Sequence, residues 1–262
     1  MRKIFTLLFV LLSLSAYEQG SFNYQKDFKA VLALTKDSTS NLYYNKLLPR
    51  FKARDTTLSK YETLALLIGF TDQPDYRPFE DIETEKDIFI LNDEGHYEEA
   101  MAQADTYLLY HPVSLRILKE KSYSLHQLKK ADSADYYMDL VHKIMSAMLF
   151  SGNGKTPETA IFALGLADGE RFTENAGMTI GNKGTGENKG GVYMELIDAI
   201  KEEGDHLNLF FVIQHARDKV NSVDSEWGSG KKSSKKSKKK DKKNDKKEKE
   251  QPVKEGVCHR FQ

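Results

Sequence analysis

Few residues in this 262-residue chain have both the types and the spacing for chemistry. Gly154-Lys155-Thr156 matches the end of a phosphate-binding loop, whose amides and lysine cradle a nucleotide. Leu149 stands where the first glycine of such a loop belongs, and the segment follows a helical pattern rather than a strand. These residues therefore read as a helix stop, with Pro157 opening the next element. The seven histidines show no His-x-x-x-His spacing and the single Cys rules out Cys-x-x-Cys, so no metal site is expected. There is no Gly-x-Ser-x-Gly elbow, and Cys258 lies in a low-complexity tail, which leaves nucleophilic catalysis without a candidate. Asp72, Asp75, Glu80 and Asp81 cluster around two prolines. Carboxylates so placed can act as acid and base, but a solvated loop is much the favoured reading. No catalytic residue and no cofactor is expected.

Tyrosines are the suggestive surface feature. Tyr43, Tyr44, Tyr61 and Tyr76 fall in the N-terminal third, and Tyr107, Tyr110, Tyr123, Tyr136 and Tyr137 recur further on. Tyr suits interfaces because it joins contact area to a polar tip, although packing between helices uses it too. The partner-binding candidates are Tyr76, Tyr107, Tyr110 and Tyr123.

The elements that position these residues follow a 34-residue period. Ala100, Ala104 and Tyr107 recur as Ala134, Met138 and Val141, and Leu91 pairs with Leu125. Such a period, with a small residue in the second helix, marks helix-turn-helix solenoid repeats, where Ala sits at close backbone approaches. Helices are expected over Thr84–Asp93, His96–Tyr110, Ser114–Leu128 and Ala131–Leu149. Upstream, short apolar faces around Phe28 and Leu47 precede a capping-box spacing at Ser59 and Glu62, and that third helix is expected to end at Gly69. Pro74 and Pro78 make the following stretch extended. After Ser151–Pro157 the pattern becomes strand-like, at Ala160–Leu166, Gly177–Ile180, Val192–Ile200 and Leu207–Ile213. Val192–Ile200 also suits a helix; a strand is favoured. The five glycines of Gly181–Gly191 read as a mobile loop.

The ends differ from the body. Arg2 and Lys3 precede an apolar run, Ile4–Leu14, too short to span a bilayer and followed by small residues, so residues 1–16 read as a cleaved signal peptide. The expected location is periplasmic or extracellular, and the mature protein is not expected to be an integral membrane protein. Formal neutrality hides an asymmetry: Lys231–Glu250 holds 12 Lys against 4 Asp or Glu, a balance of +8, which leaves −8 elsewhere. The chain over 222–262 is expected to be a disordered tail, favoured as a solvated low-complexity segment, with weak polyanion contact through Lys231–Glu250 as the alternative and no specific nucleic acid.

Taken in order, Ile68-Gly69-Phe70, Gln73–Phe79, the Gly95–Ala100 repeat core and Ser151–Ala160 resemble an uncharacterised family of exported bacterial proteins, domain of unknown function 4919. The resemblance covers roughly Phe22 to Arg217. It implies tetratricopeptide-like helices followed by a small β-rich segment and supplies no catalytic residues. The expected fold is α+β: an array of antiparallel helical hairpins over 22–150, then a small antiparallel β segment over 157–217 packed on the helices. The expected function is non-catalytic: an exported binding or scaffold protein whose helical groove holds a protein or peptide partner. The alternative is an envelope hydrolase or glycan-handling enzyme with a site between the helical and β parts.

Overall fold

The computed structural model describes residues 22–78 and 81–222. The expected signal peptide, the Lys-rich tail, Cys258, Phe79 and Glu80 lie outside the described residues.

Helix α1, Tyr24–Lys36, starts at Asn23, whose side chain accepts from the Lys26 amide at 3.2 Å. Helix α2 is Tyr44–Lys52 and α3 is Lys60–Phe70. The capping box at the start of α3 forms: Ser59 Oγ accepts from the Glu62 amide at 3.1 Å, and Glu62 Oε2 accepts from the Ser59 amide at 2.8 Å. Every residue from Thr63 to Phe70 is buried, so α3 is the central helix, with α1, α2 and the last long helix packed around it. Gly69 does not end α3. It lies inside the helix, where an added Cβ would sit 3.0 Å from Thr35 and 3.1 Å from Tyr44, so glycine permits the close approach of α1 and α2.

Four helices follow: α4 Asp81–Asp93, α5 Tyr97–Tyr110, α6 Leu115–Gln127 and α7 Ala131–Ser151. The 34-residue period is written into their backbone. The amides of His96 and Lys130 each reach back five residues, to the carbonyls of Leu91 (2.8 Å) and Leu125 (2.9 Å). The residues just before them are left-handed, Gly95 with φ 82° and Lys129 with φ 59°. Both are Schellman-type stops, which satisfy helix-terminal carbonyls. Ala100 and Ala134 are buried, as close helix contact requires. Ile88, Ala100, Ala104, Tyr107 and Ile117 form a separate small core inside these hairpins.

A 3₁₀ turn, Pro157–Thr159, leads to β1 Ile161–Phe162, then α8 Leu166–Asn175, β2 Thr179–Glu187, β3 Tyr193–Ile200 and β4 His206–Val212. Residues 214–222 are helical. The sheet order is β1-β4-β3-β2. The molecule is thus α+β with a small C-terminal sheet, but the sheet is mixed rather than antiparallel, because β1 runs parallel to β4. The expected strand Ala160–Leu166 shrinks to two residues, and α8 starts at Leu166 instead. Asp168 accepts from the Gly165 amide at 3.1 Å and closes the first turn of α8, while Gly169, Phe172 and Thr173 give it a buried face. The glycine-rich stretch is not a loop over most of its length. Backbone pairing with β3, for example Gly184 with Leu196 and Gly186 with Met194, holds it as edge strand β2 with an irregularity between Ile180 and Lys183. Val192–Ile200 is a strand. One core joins α1–α3, α6, α7 and the inner sheet face, built around Phe51, Leu64, Phe162 and Phe211.

Candidate functional site

Helix α8 lies over β2 and β3 and touches α6, which brings the sheet module against the hairpins. Between α8, the start of α4 and the α5–α6 turn opens a half-open cleft of about 50 Å³. Its walls are mostly apolar and aromatic, including Phe70, Tyr76, Ile82 and Tyr107, and its polar lining is Glu85, His111, Ser114 and Asp168.

Two carboxylates converge here from residues far apart in the chain. Glu85 Oε1 accepts from Ser114 Oγ at 2.7 Å and from the Tyr107 hydroxyl at 3.2 Å. Among the described residues Oε2 has no hydrogen-bond partner. Burial pushes the Glu85 carboxyl up, against the hydrogen bonds of Ser114 and Tyr107 and the charge of Arg116. Asp168, half-buried at the start of α8, is pushed up to about 7, first by burial and then by the charge of Glu85. Two acids that oppose each other's ionisation stabilise an incoming positive charge. His111 is half-buried and lies against Tyr107, ring centroids 4.3 Å apart. Burial holds its imidazole below the ordinary range, so it adds no positive charge at neutral pH.

The cleft is anchored from behind. Tyr76 is buried, its hydroxyl donates to the Leu164 carbonyl, and its ring stacks 6.3 Å from His215. His215 in turn stacks on Phe162 at 4.6 Å, and burial lowers its imidazole to about 3. A third acid lies under α8: Glu195 of β3 is buried, its Oε2 has no partner among the described residues, and an added Cβ on Gly169 would lie 2.4 Å from that oxygen.

Of the candidate tyrosines, Tyr76 and Tyr107 line this one cleft. Tyr110 and Tyr123 do not; they are 56% and 45% exposed, with Tyr123 edge-on to Tyr97. The Gly154-Lys155-Thr156 fragment is a clasp: the Gly154 amide donates to the Thr159 carbonyl at 2.8 Å, and its own carbonyl accepts from the Phe210 amide at 2.8 Å. An amide so used cannot cradle a phosphate. Of the acidic loop residues, Asp72 pairs with Lys36 at 2.6 Å on the surface. Among the described residues no group of three or more His, Cys, Asp or Glu is placed to hold a metal ion, and no helix is long and apolar enough to cross a membrane. Sequence reasoning missed Glu85, Asp168, Glu195 and His215. For Asp168 a signal existed, three residues after Gly165 at the head of a Gly169/Phe172/Thr173 stripe. For the others there was none, because their burial depends on contacts between distant segments.

An α+β molecule with a walled, acid-floored cleft between its helical and sheet parts is what fold and geometry define. The family model described as "Domain of unknown function (DUF4919)" matches residues 29–222, most of the chain, and the protein belongs to that family. No curated protein and no solved structure matches it.

Proposed function

We propose that this is an exported, non-catalytic binding protein, and that the cleft between α4, the α5–α6 turn and α8 takes a Lys or Arg side chain from an extended peptide segment of a partner protein. The observation that carries this reading is the convergence of Glu85 and Asp168 in an aromatic-walled cleft whose one imidazole is held neutral. An acid pair that resists double ionisation gains most from a cation between its members. Aromatic walls around a Lys stem add apolar contact. Tyr76 and Tyr107 serve here as walls, while Tyr110 and Tyr123 stand ready for the flanking peptide.

Both acids are engaged in holding structure, Glu85 by Ser114 and Tyr107 and Asp168 at the start of α8, which favours binding over turnover. The second reading, a hydrolase or glycan-handling enzyme at the same place, draws on the same pair, since buried carboxyls that hold a proton more tightly than usual can serve general acid–base catalysis. Titration calorimetry on the full chain, its Lys-rich segment neutralised by Lys→Gln changes, separates the two. A Lys-containing decapeptide should bind about tenfold more tightly than its Gln counterpart, and Glu85→Gln or Asp168→Asn should erase the difference at a temperature where each variant is still folded. Equal affinity for the two peptides sinks the binding proposal. Sustained turnover of a peptide, ester or glycan that Glu85→Gln abolishes supports the enzyme.

A further inference from the structure

Beside the acid pair, α4, α6 and α8 also enclose a buried cation. Arg116, in the first turn of α6, is 6% exposed, and among the described residues its guanidinium makes no hydrogen bond or ion pair. Its Cζ lies 5.3 Å from the centre of the Phe89 ring on α4. Helix α8 touches α6 and carries a second guanidinium, Arg171, close enough to act on Arg116 by its charge. The Arg171 Nε is likewise buried without an acceptor. One turn further along the same face of α8, Asn175 Nδ2 is a third such donor.

Such a cluster favours an anion. A buried guanidinium without an acceptor forfeits its hydration, and a like charge beside it adds to the cost. The first turn of a helix is its positive end, so Arg116 stands where a carboxylate is stabilised. Burial, and then Arg171, lower the Arg116 guanidinium from its ordinary value. The carboxylates that act on it are already engaged. Glu174 Oε2 holds Arg171 Nη1 at 2.6 Å, Glu120 Oε2 accepts from Asn92 at 2.9 Å, and Glu85 Oε1 accepts from Ser114 at 2.7 Å.

The cation cluster lies one helical turn from the acid pair. Phe89 follows Glu85 by four residues on α4, and Arg171 follows Asp168 by three on α8, offsets of about 6 and 4.5 Å along the two helices. The four-carbon stem of Lys covers that span between its ammonium and its own α-carbon. In an extended segment the next side chain points to the opposite face, so the group that meets the guanidinia is main chain. We propose that the cleft takes a C-terminal Lys, whose ammonium goes to Glu85 and Asp168 and whose free α-carboxylate goes to Arg116 and Arg171. The proposal rests on the cleft being a site for a cationic side chain and names the end of the chain that carries it. A carboxylate matches the planar fork of a guanidinium, and it supplies the acceptor that Arg116 lacks.

The test is titration calorimetry on the full chain, its Lys-rich segment neutralised by Lys→Gln changes, with decapeptides that end in Lys as the free acid, in Lys amide, or in Gln in both forms. The free-acid Lys peptide should bind about tenfold more tightly than its amide. Arg116→Gln should erase that difference and leave the affinity for the amide unchanged. Arg171→Gln should do the same, so one variant still decides if the other fails to fold. Equal affinity for acid and amide, with Lys still preferred over Gln, overturns this inference alone and leaves the binding function standing. No preference for Lys over Gln in either form fails the binding function, and the inference with it. A free-acid preference that survives in both arginine variants overturns the assignment of the carboxylate to this cluster. An amidated peptide with an internal Lys and a Glu two residues after it, if it binds as tightly as the free acid, assigns the carboxylate to a side chain and overturns the C-terminal reading.

Discussion

Replacing Glu195 by Gln removes a carboxyl that is 2% exposed on β3, pressed against the backbone of α8 at Gly169, with no partner for Oε2 among the described residues. Burial raises this group from 4.5 to about 8; Glu170 and Asp168 on α8 add to the rise, and Lys183 on β2 opposes it. The folded protein therefore holds a proton that the unfolded chain releases above its ordinary value. Between pH 4.5 and 8 the native state binds more protons, so stability from this group is greatest at low pH and falls as pH rises. At 1.36 kcal/mol per unit the span corresponds to about 5 kcal/mol at most. Asp168, itself raised to about 7, contributes a slope of the same sign, so the parent's total dependence does not isolate Glu195. The difference between parent and Glu195→Gln does. Urea unfolding at pH 5, 6.5 and 8 should find the two near equal at pH 5, with the variant ahead by roughly 2–4 kcal/mol at pH 8. Parallel pH profiles would refute the reasoning and mean that Glu195 reaches water or a cation as α8 fluctuates.

Ala100→Leu and Ala134→Leu overpack contacts where both alanines are at most 4% exposed, and each should lower stability by about 1–3 kcal/mol in denaturant unfolding. Lys129→Gly relieves a left-handed residue at the position where the preceding repeat already uses Gly95, and should raise stability by about 0.5–1 kcal/mol. Gly169→Ala places a Cβ 3.0 Å from the Phe211 ring and against Glu195, so it should lower Tm and weaken basic-peptide binding together by tilting α8.

Regular, local features were legible in the sequence. The α4–α7 hairpins announced themselves because a repeat must present the same contact every 34 residues. Ala100 with Ala134, and the carbonyls of Leu91 with Leu125, satisfy that condition in side chain and backbone alike. The capping box of α3 was legible for the same reason, since Ser59 and Glu62 complete it between themselves. What was not legible depended on partners elsewhere. β2 has no apolar alternation, and Gly184 and Gly186 are strand residues only because β3 supplies the ladder. Glycine composition states what a backbone is permitted to do, and the neighbour decides what it does. The short β1 beside β4 was hidden likewise, its parallel pairing set by where α7 delivers the chain.

The cleft is the extreme case of that dependence. Glu85 looks like any charged residue of a polar helix, and Asp168 follows it 83 positions later, just past a stretch that reads as a strand. Glu85 has no motif and Asp168 only its spacing from Gly165, because the raised pKa of each comes first from burial in the folded molecule. The two tyrosines the cleft shares, Tyr76 and Tyr107, were visible as types but not as a pair. Tyr76 is placed by Leu164 and His215 from the sheet module, and Tyr107 by Glu85 from the preceding helix. Such a site is sensitive to the seating of α8 on the sheet. Any change that shifts α8, whether ionisation of Glu195 or a Cβ at Gly169, moves Asp168 relative to Glu85 and alters the cleft's field before it alters the fold.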